Sequence, residues 1–248
     1  ELWDDELNYD LESLRYFTAP AIRPEPNEAA DAYLKRVEVG VRELSGNGRL
    51  VIGIGGEHSL TPPLVYAAYR NNNDLNGLTV VQIDAHADLR ETYEGTPQSH
   101  ACATRRLTER GARVIAIGVR AISQPECEYG KSVSLVEIYR AQALAEKSGV
   151  EQTLLSQLRE LHGDVYLTVD IDGLDPSMCP GTGTPEPGGL GWWQTLRILR
   201  AILLENRSRN LIGCDLVETV PQPNTQINEF TAARLLAKMI AYAKAPVE

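Results

Sequence analysis

The segment Leu78-Thr-Val-Val-Gln-Ile-Asp84-Ala-His86-Ala-Asp88 decides the fold, because it joins a strand-like run to a set of polar residues. The run at 78–83 is rich in apolar and β-branched residues and does not alternate, which is typical of a strand buried on both faces of a parallel sheet. In an extended chain, side chains two residues apart point the same way. Asp84, His86 and Asp88 are therefore predicted to share one face at the end of this strand.

Similar runs alternate with helical segments along the rest of the chain. Further strand-like runs lie at 50–54, 114–118, 165–171 and 211–217, and helical periodicity is present at 29–44, 60–69, 101–110, 151–161, 192–204 and 229–243. This alternation predicts an α/β fold with right-handed crossovers and a mainly parallel sheet covered by helices on both sides. Residues 1–248 are expected to form a single domain. In such sheets, ligands bind just beyond the carboxyl ends of the strands.

The composition is that of an ordinary soluble protein, with 43% hydrophobic and 23% charged residues. A formal charge of −10 argues against a nucleic acid or an anionic membrane as partner, and mildly favours a cationic small molecule. The four cysteines are scattered and form no Cys-x-x-Cys motif, which predicts a reduced, cytoplasmic protein. No apolar run reaches the length of about 18 residues that a membrane-spanning helix needs.

Two other strand ends carry residues of the same chemical types. The run at 165–171 leads into Asp170-Ile-Asp172, and the run at 50–54 leads into Gly55-Gly-Glu-His58, where the glycines allow a sharp turn. If neighbouring strands bring these ends together, four carboxylates and two imidazoles meet. The six candidate metal ligands are His58, Asp84, His86, Asp88, Asp170 and Asp172.

Metal binding explains this group better than structural capping does. Carboxylates packed so closely raise each other's pKa and cannot all stay ionised, whereas two divalent cations would balance four negative charges. Ligands of this kind, without thiolates, favour hard or borderline metals such as Mn²⁺. Two such ions can also deprotonate a water near neutral pH. A lone Asp-x-His at a strand end is more often a loop-capping pair, but three signals at three predicted strand ends favour a metal site.

The motifs together resemble the ureohydrolase family of arginases and agmatinases. The resemblance rests on Gly55-Gly-Glu-His-Ser59, Asp84-Ala-His-Ala-Asp88, Ser99-His-Ala101, Asp170-Ile-Asp-Gly-Leu-Asp-Pro176 and Pro180-Gly-Thr-Gly-Thr-Pro-Glu-Pro-Gly-Gly189. These segments follow the family's order, and the combination is far more specific than any one of them. The resemblance implies a three-layer α/β/α, arginase-like fold, two Mn²⁺ per chain and hydrolysis of a guanidino group to urea and an amine. It also implies a homo-oligomer, either a trimer or a hexamer.

The resemblance further implies a role for each ligand. His58 and Asp88 would hold one ion and His86 and Asp172 the other, while Asp84 and Asp170 would bridge the two. A metal-bridging hydroxide, oriented by Asp88, would then attack the guanidinium carbon. These assignments concern the residues His58, Asp84, His86, Asp88, Asp170 and Asp172.

Two further residues acquire roles from the same resemblance. His100 would pass a proton to the leaving amine, for which an imidazole is suited because its pKa lies near neutrality. Glu218, which follows the run at 211–217, would grip the planar guanidinium through its carboxylate. The alternatives are a surface histidine at a helix start and an ordinary acid at a strand end. Asp88, His100 and Glu218 are thus the candidate catalytic residues, and His100 and Glu218 also the candidate substrate-binding residues.

The substrate is predicted from the loop that follows Asp88. Residues 89–98 lack the Ser-Gly-Asn element with which arginases hold the amino acid's α-carboxylate and α-amine, and the segment 118–123 also looks like agmatinases. Agmatine, hydrolysed to putrescine and urea in polyamine biosynthesis, is therefore favoured. The alternatives are another ureohydrolase (an arginase, guanidinobutyrase or formiminoglutamase) and a non-catalytic metal-binding relative.

The sequence departs from the family's pattern in two places. Glu57 stands where many members have Asp before the metal-binding histidine, which bears on the surroundings of the site because that residue is not normally a ligand. The family's N-terminal strand and its Gly/Pro/Arg-rich loop have no counterpart from Glu1 onward. We therefore expect a single domain that lacks an N-terminal strand segment, with omission or true loss of that segment left open.

Overall fold

A computed structural model describes residues 1–46, 49–69 and 74–245. Strands and helices are numbered here in chain order. They are β1 (Trp3–Asp4), β2 (Tyr9–Asp10), α1 (Ala30–Leu44), β3 (Ile52–Ile54), α2 (Thr61–Ala68), β4 (Leu78–Ile83), α3 (Ala103–Thr108), β5 (Arg113–Val119), α4 (Gln124–Ser132), β6 (Val136–Arg140), α5 (Ala141–Glu146), α6 (Val150–Arg159), β7 (Gly163–Asp170), α7 (Trp192–Arg200), β8 (Arg209–Val217) and α8 (Ile227–Lys244).

The large sheet has six strands in the order β3-β8-β7-β4-β5-β6, and every neighbouring pair is parallel. Ile83 at the end of β4 pairs with Val169 of β7 on one side and Ile117 of β5 on the other. Because the strands are parallel, the ends of β3, β8, β7 and β4 lie along one edge. The residues that follow these strands are therefore brought together.

Helices cover both faces of this sheet. Successive residues of β4 face opposite ways: Val80 joins a core formed with α1, α2 and α3, whereas Val81 joins a core formed with α6, α7 and α8. Strands buried on both sides need the continuous apolar runs seen in the sequence. The predicted three-layer α/β/α architecture with a mainly parallel sheet is confirmed.

The structure contains elements that periodicity did not predict. Strand β6 reads Val-Glu-Ile-Tyr-Arg, an alternating pattern that fits an edge strand whose residues are all only half-buried. Helices α4 and α5 are short and lack a long apolar stripe, so a 3.6-residue period is hard to detect in them. The predicted strand at 50–54 is shorter than expected, since β3 begins at Ile52.

The N-terminal residues form a small antiparallel pair, β1 with β2, outside the large sheet. This pair is tied to α8 by Lys238, whose buried ammonium lies 2.8 Å from Asp4 Oδ2 and 2.9 Å from Glu6 Oε2. A buried lysine needs such partners to keep its charge.

Among the residues described, no helix is long and apolar enough to cross a membrane.

Candidate metal centre

His58 reaches the sheet edge through a tight turn after β3. Gly55 and Gly56 both have φ in the left-handed region, at +85° and +76°, and a Cβ on Gly56 would overlap the Leu60 side chain. A 3-10 turn over His58–Leu60 follows and leads into α2. The His58 side chain is thereby buried beside residues that follow β4 and β7.

One group of candidate ligands surrounds the Nδ1 atom of His58. This nitrogen lies 2.9 Å from Asp88 Oδ2, 3.0 Å from Asp84 Oδ2 and 3.4 Å from Asp170 Oδ2. Although it is buried and close to three carboxylates, no oxygen of the described residues has hydrogen-bonding geometry to it. A single N–H cannot point at three carboxylates, whereas a cation between them can be shared by all. The arrangement fits a metal ion.

A second group lies on the other side of Asp84. His86 Nδ1 lies 3.0 Å from Asp172 Oδ2 and 3.6 Å from Asp84 Oδ1. Asp172 Oδ2 is buried and has no hydrogen-bond partner within residues 1–46, 49–69 and 74–245, while Asp172 Oδ1 accepts from the backbone N–H of Ala85 at 3.0 Å. Potential ligand atoms of His58, Asp84 and Asp88 lie within 4.8 Å of one another, as do those of Asp84, His86 and Asp172. Asp84 thus belongs to both groups.

The local backbone differs from the simple alternation that the sequence predicted. Strand β4 ends at Ile83, and Asp88 has a left-handed φ of +53°, so His86 and Asp88 turn toward different groups instead of sharing one face. Asp172 also approaches Asp170 by a 3-10 turn over 171–173, in which its N–H donates to Asp170 Oδ1 at 2.9 Å. The predicted residues meet, but loop and helical geometry bring them together.

The charges at this site are those expected of a group of residues that binds cations. Burial and the nearby charge of Asp84 raise the pKa of Asp88 to about 7 and raise the pKa of Asp170 well above its usual range. Burial opposes a charged His86, but the neighbouring carboxylates of Asp172 and Asp84 outweigh this and raise its pKa to about 11. Protons on Asp88, Asp170 and His86 therefore offset part of the negative charge, as metal ions would do when bound.

A row of buried polar residues supports the ligands from within the sheet. Gln82 of β4, Thr168 of β7 and Asp215 of β8 are register partners on adjacent strands. Gln82 Nε2 donates to Asp84 Oδ2 at 2.7 Å, and His58 Nε2 lies 2.9 Å from Thr168 Oγ1. This row lies two residues before the ligands Asp84 and Asp170.

The Thr168 hydroxyl determines which nitrogen of His58 carries the proton. Thr168 Oγ1 donates to Asp215 Oδ1 at 2.6 Å, so it can only accept from His58 Nε2–H. The other Asp215 oxygen accepts from Tyr166 and Thr61 at 2.8 and 3.0 Å. Because Nε2–H is donated to Thr168, Nδ1 is the nitrogen that faces the three carboxylates and is available to bind a metal ion. An outer partner of this kind is typical of metal-binding histidines.

Glu218 and His100 lie at the rim of the site. Glu218 follows β8 with a φ of +64°, and its Oε1 accepts the backbone N–H of His58 at 2.8 Å. The His100 Nδ1 atom lies 3.1 Å from Glu57 Oε2. The rings of His100 and Tyr93 are in T-shaped contact, with their centroids 5.5 Å apart. Potential ligand atoms of Glu57, His100 and Glu218 lie within 4.8 Å of one another. Both predicted rim residues are thus beside the His58 turn.

Sequence reasoning did not find several residues that shape the site. Thr168 and Asp215 lie inside apolar strands, where a lone polar residue was the available signal. Glu57 was noticed as a departure from the family, but its contact with His100 could not be foreseen. Arg120 donates to the backbone oxygens of Asp172 and Glu186, each at 2.7 Å, and so ties the 180–189 loop to the ligand turn.

Comparison with known proteins gives consistent matches over nearly the whole chain. The model of the Arginase family matches residues 1–241. The N(1)-aminopropylagmatine ureohydrolase of Synechocystis sp. is 35% identical over 248 residues, which covers 98% of this chain and 78% of that protein. The agmatinase of Bacillus anthracis is 36% identical over 224 residues, covering 89% and 72%.

Solved structures share the fold. The agmatine ureohydrolase of Thermoplasma volcanium superposes with a TM-score of 0.79 at 28% identity, over 98% of this chain and 78% of that one. The arginase of Medicago truncatula superposes with a TM-score of 0.70 at 26% identity, over 86% and 66%. The arginase-like character of the fold is confirmed.

Proposed function

The chain belongs to the arginase family, and we propose that this ureohydrolase hydrolyses the guanidino group of agmatine to give putrescine and urea. One observation carries the proposal: two overlapping groups of candidate ligands, all buried except the half-buried His86, share Asp84, and His100 and Glu218 lie at their rim. The most similar proteins described above bear agmatinase or aminopropylagmatine ureohydrolase names, which supports this class of substrate.

We propose that the site holds two Mn²⁺ ions. The ligands would be His58, Asp84, His86, Asp88, Asp170 and Asp172, of which Asp84 and Asp170 would each help to hold both ions. Oxygen and imidazole ligands without thiolates suit Mn²⁺, and the unpartnered atoms His58 Nδ1 and Asp172 Oδ2 fit metal ligands. Two such ions, when bound, supply hydroxide near neutral pH.

The rim residues are suited to hold the substrate and move a proton. Glu218 Oε1 accepts the His58 N–H, and a Cβ on Gly183 would lie 3.7 Å from Oε2, so the 180–189 loop passes close to this carboxylate. In this proposal Glu218 binds the guanidinium by charge-assisted hydrogen bonds. The His100 imidazole protonates the amine as it leaves. Asp88 orients the attacking water as well as binding metal.

The charge of the rim favours an amine without a carboxylate. Glu57 and Glu218 both lie beside His100, and the chain carries a formal charge of −10. A cationic amine is attracted to such a rim, whereas the α-carboxylate of arginine would be repelled by it. This supports agmatine over arginine.

A second substrate candidate is N(1)-aminopropylagmatine, a longer cation. The relative that bears this name aligns with 98% of the chain, against 89% for the agmatinase of Bacillus anthracis. Both candidates offer the same guanidino group to the metal site and differ in the amine beyond it.

We further propose the cellular setting that the family suggests. Residues 1–248 would form one domain, which the single six-stranded sheet supports. The protein would work in the cytoplasm as a homo-oligomer, in polyamine synthesis, and would bind neither nucleic acid nor membrane. The acidic net charge supports the last point.

A substrate panel tests the proposed function. The purified protein, loaded with Mn²⁺, is given agmatine, N(1)-aminopropylagmatine, arginine, guanidinobutyrate and formiminoglutamate, and the released urea or formamide is measured beside metal content. We expect the highest kcat/KM on one of the two agmatine compounds. His58→Asn should lose one metal ion and most of the turnover. Two metal ions per chain without turnover of any of these compounds would instead identify a non-catalytic relative.

A further inference from the structure

The carboxylate of Glu57 holds His100 at two points. Glu57 Oε2 lies 3.1 Å from the backbone nitrogen of His100 and 3.1 Å from its ring Nδ1 atom. The other oxygen, Oε1, accepts the hydroxyl of Ser59. Both oxygens of this carboxylate therefore have defined partners, although Glu57 is an exposed residue at the rim of the site. These contacts join the turn after β3 to the turn before α3.

We propose that Glu57 is a positioning residue that sets the ring orientation and tautomer of His100. This inference rests on the proposed function, in which His100 exchanges a proton with the leaving amine. A carboxylate can only accept, so the ring nitrogen facing Glu57 must carry the hydrogen. The other nitrogen, Nε2, is then the one that exchanges protons. A histidine oriented by an acidic partner is a recurrent arrangement in proton-transfer sites.

Glu57 does this without entering the metal site. It precedes His58, yet it groups with His100 and Glu218, whereas His58 groups with Asp84 and Asp88. The change in direction arises because Glu57 is extended, with φ −81° and ψ 166°, while His58 begins the 3-10 turn. Two adjacent residues thus serve the two halves of the site.

The glutamate side chain is long enough to reach His100 from the turn after β3. Many family members are expected to have Asp here, which is one methylene group shorter. The longer side chain spans from the β3 turn to both the backbone and the ring of His100. The rings of Tyr93 and His100 are also in T-shaped contact, with an interplanar angle of 65°.

Three variants test the inference. Glu57→Ala removes the acceptor, Glu57→Gln keeps an acceptor oxygen without the charge, and Glu91→Ala removes an exposed carboxylate from the loop after Asp88. For each we would measure kcat and KM on agmatine, metal content per chain, melting temperature and the ring orientation of His100 in a crystal structure.

If Glu57 positions His100, the three variants should differ in kcat and in the ring orientation of His100. Glu57→Ala should lower kcat about tenfold or more, because a misplaced proton donor loses part of the about 10²–10⁴-fold that acid–base catalysis contributes. KM should change less than about twofold, metal content should stay at the wild-type value, and the His100 ring should rotate. Glu57→Gln should restore most of kcat and the ring orientation. Glu91→Ala should match the wild type.

Several results would overturn the inference. They are a wild-type kcat for Glu57→Ala, an unchanged ring orientation in its crystal structure, or a loss of metal that would make Glu57 part of the metal site. A wild-type protein inactive on every guanidino compound would contradict the proposed function instead. In that case the crystal structure of Glu57→Ala would still show whether Glu57 orients the ring.

Discussion

The Nε2 atom of His58 lies 2.9 Å from Oγ1 of Thr168, two strands away across β8. Asp215 lies on β8 between them and accepts the Thr168 hydroxyl. The Nδ1 atom of the same ring lies among the carboxylates and has no hydrogen-bond partner in the described part of the chain. The orientation of a candidate metal ligand thus depends on a hydroxyl group in the middle of the sheet.

Thr168→Val should weaken metal binding while preserving the fold, because valine has nearly the same shape but cannot accept the His58 N–H. Loss of such an outer partner typically costs about 10- to 100-fold in metal affinity. Titration of Mn²⁺ against a competing chelator measures this. Thr168→Ser, which keeps the hydroxyl, is the matched control and should bind nearly as the wild type does. Equal Mn²⁺ affinities of Thr168→Val and Thr168→Ser would show that the hydrogen bond from His58 to the Thr168 hydroxyl does not contribute to metal binding.

Metal binding should release more than one proton per chain at pH 7. The pKa of His86 is about 11 and that of Asp88 about 7, so at pH 7 the His86 side chain is protonated and the Asp88 side chain partly so. A metal ion that binds to these side chains must displace the protons. The affinity for Mn²⁺ should therefore increase as the pH is raised. Its decrease on acidification should become steeper below about pH 7, where Asp88 becomes mostly protonated. Calorimetric titration in buffers of different ionisation enthalpy counts the protons. A binding heat that does not depend on the buffer would contradict this.

His100→Ala should lower kcat about 100-fold or more on agmatine, because general acid catalysis is lost, and should leave metal content unchanged. The half-exposed ring contacts Glu57 and Tyr93 rather than the buried ligand groups. His162→Ala, at an exposed position between α6 and β7, is the control and should keep the wild-type rate. If the alanine variant at position 100 lost its metal, the assigned role of His100 would be wrong.

Glu218→Gln should lower kcat/KM for agmatine about 10- to 100-fold, since a hydrogen bond to a charged group contributes about 1.5–3 kcal/mol. The glutamine oxygen can still accept the His58 N–H, so metal content should be preserved. Kinetics and metal analysis on the same preparation test both expectations. An unchanged kcat/KM would mean that the guanidinium binds elsewhere.

The fold was largely predictable because burial on both faces leaves a direct record in the sequence. β4 coincides with the run at 78–83, and β8 contains the run at 211–217. Strand β6 was not predicted, because an edge strand that is half-buried on each face has no continuous apolar run. The candidate ligands were predictable for a related reason, since parallel strands place their ends at one edge.

The detailed geometry was not predictable in the same way. The left-handed turn at Asp88 and the 3-10 turn at 171–173 depend on contacts made after the strands end. Simple alternation therefore predicted a shared face for His86 and Asp88 that the structure does not have. The contact between Glu57 and His100 was not predictable either, because these residues are 43 positions apart in the chain.

The sequence by itself determined the layered α/β fold and the set of acids and histidines that meet at the sheet edge. It could do so because strand periodicity and residue type are local properties. Only the tertiary structure decided that Asp84 joins two ligand groups, that Thr168 and Asp215 support His58, and that Glu57 holds His100. These relationships depend on strand register and on loops that cross between strands, where no local pattern records which side chains will meet.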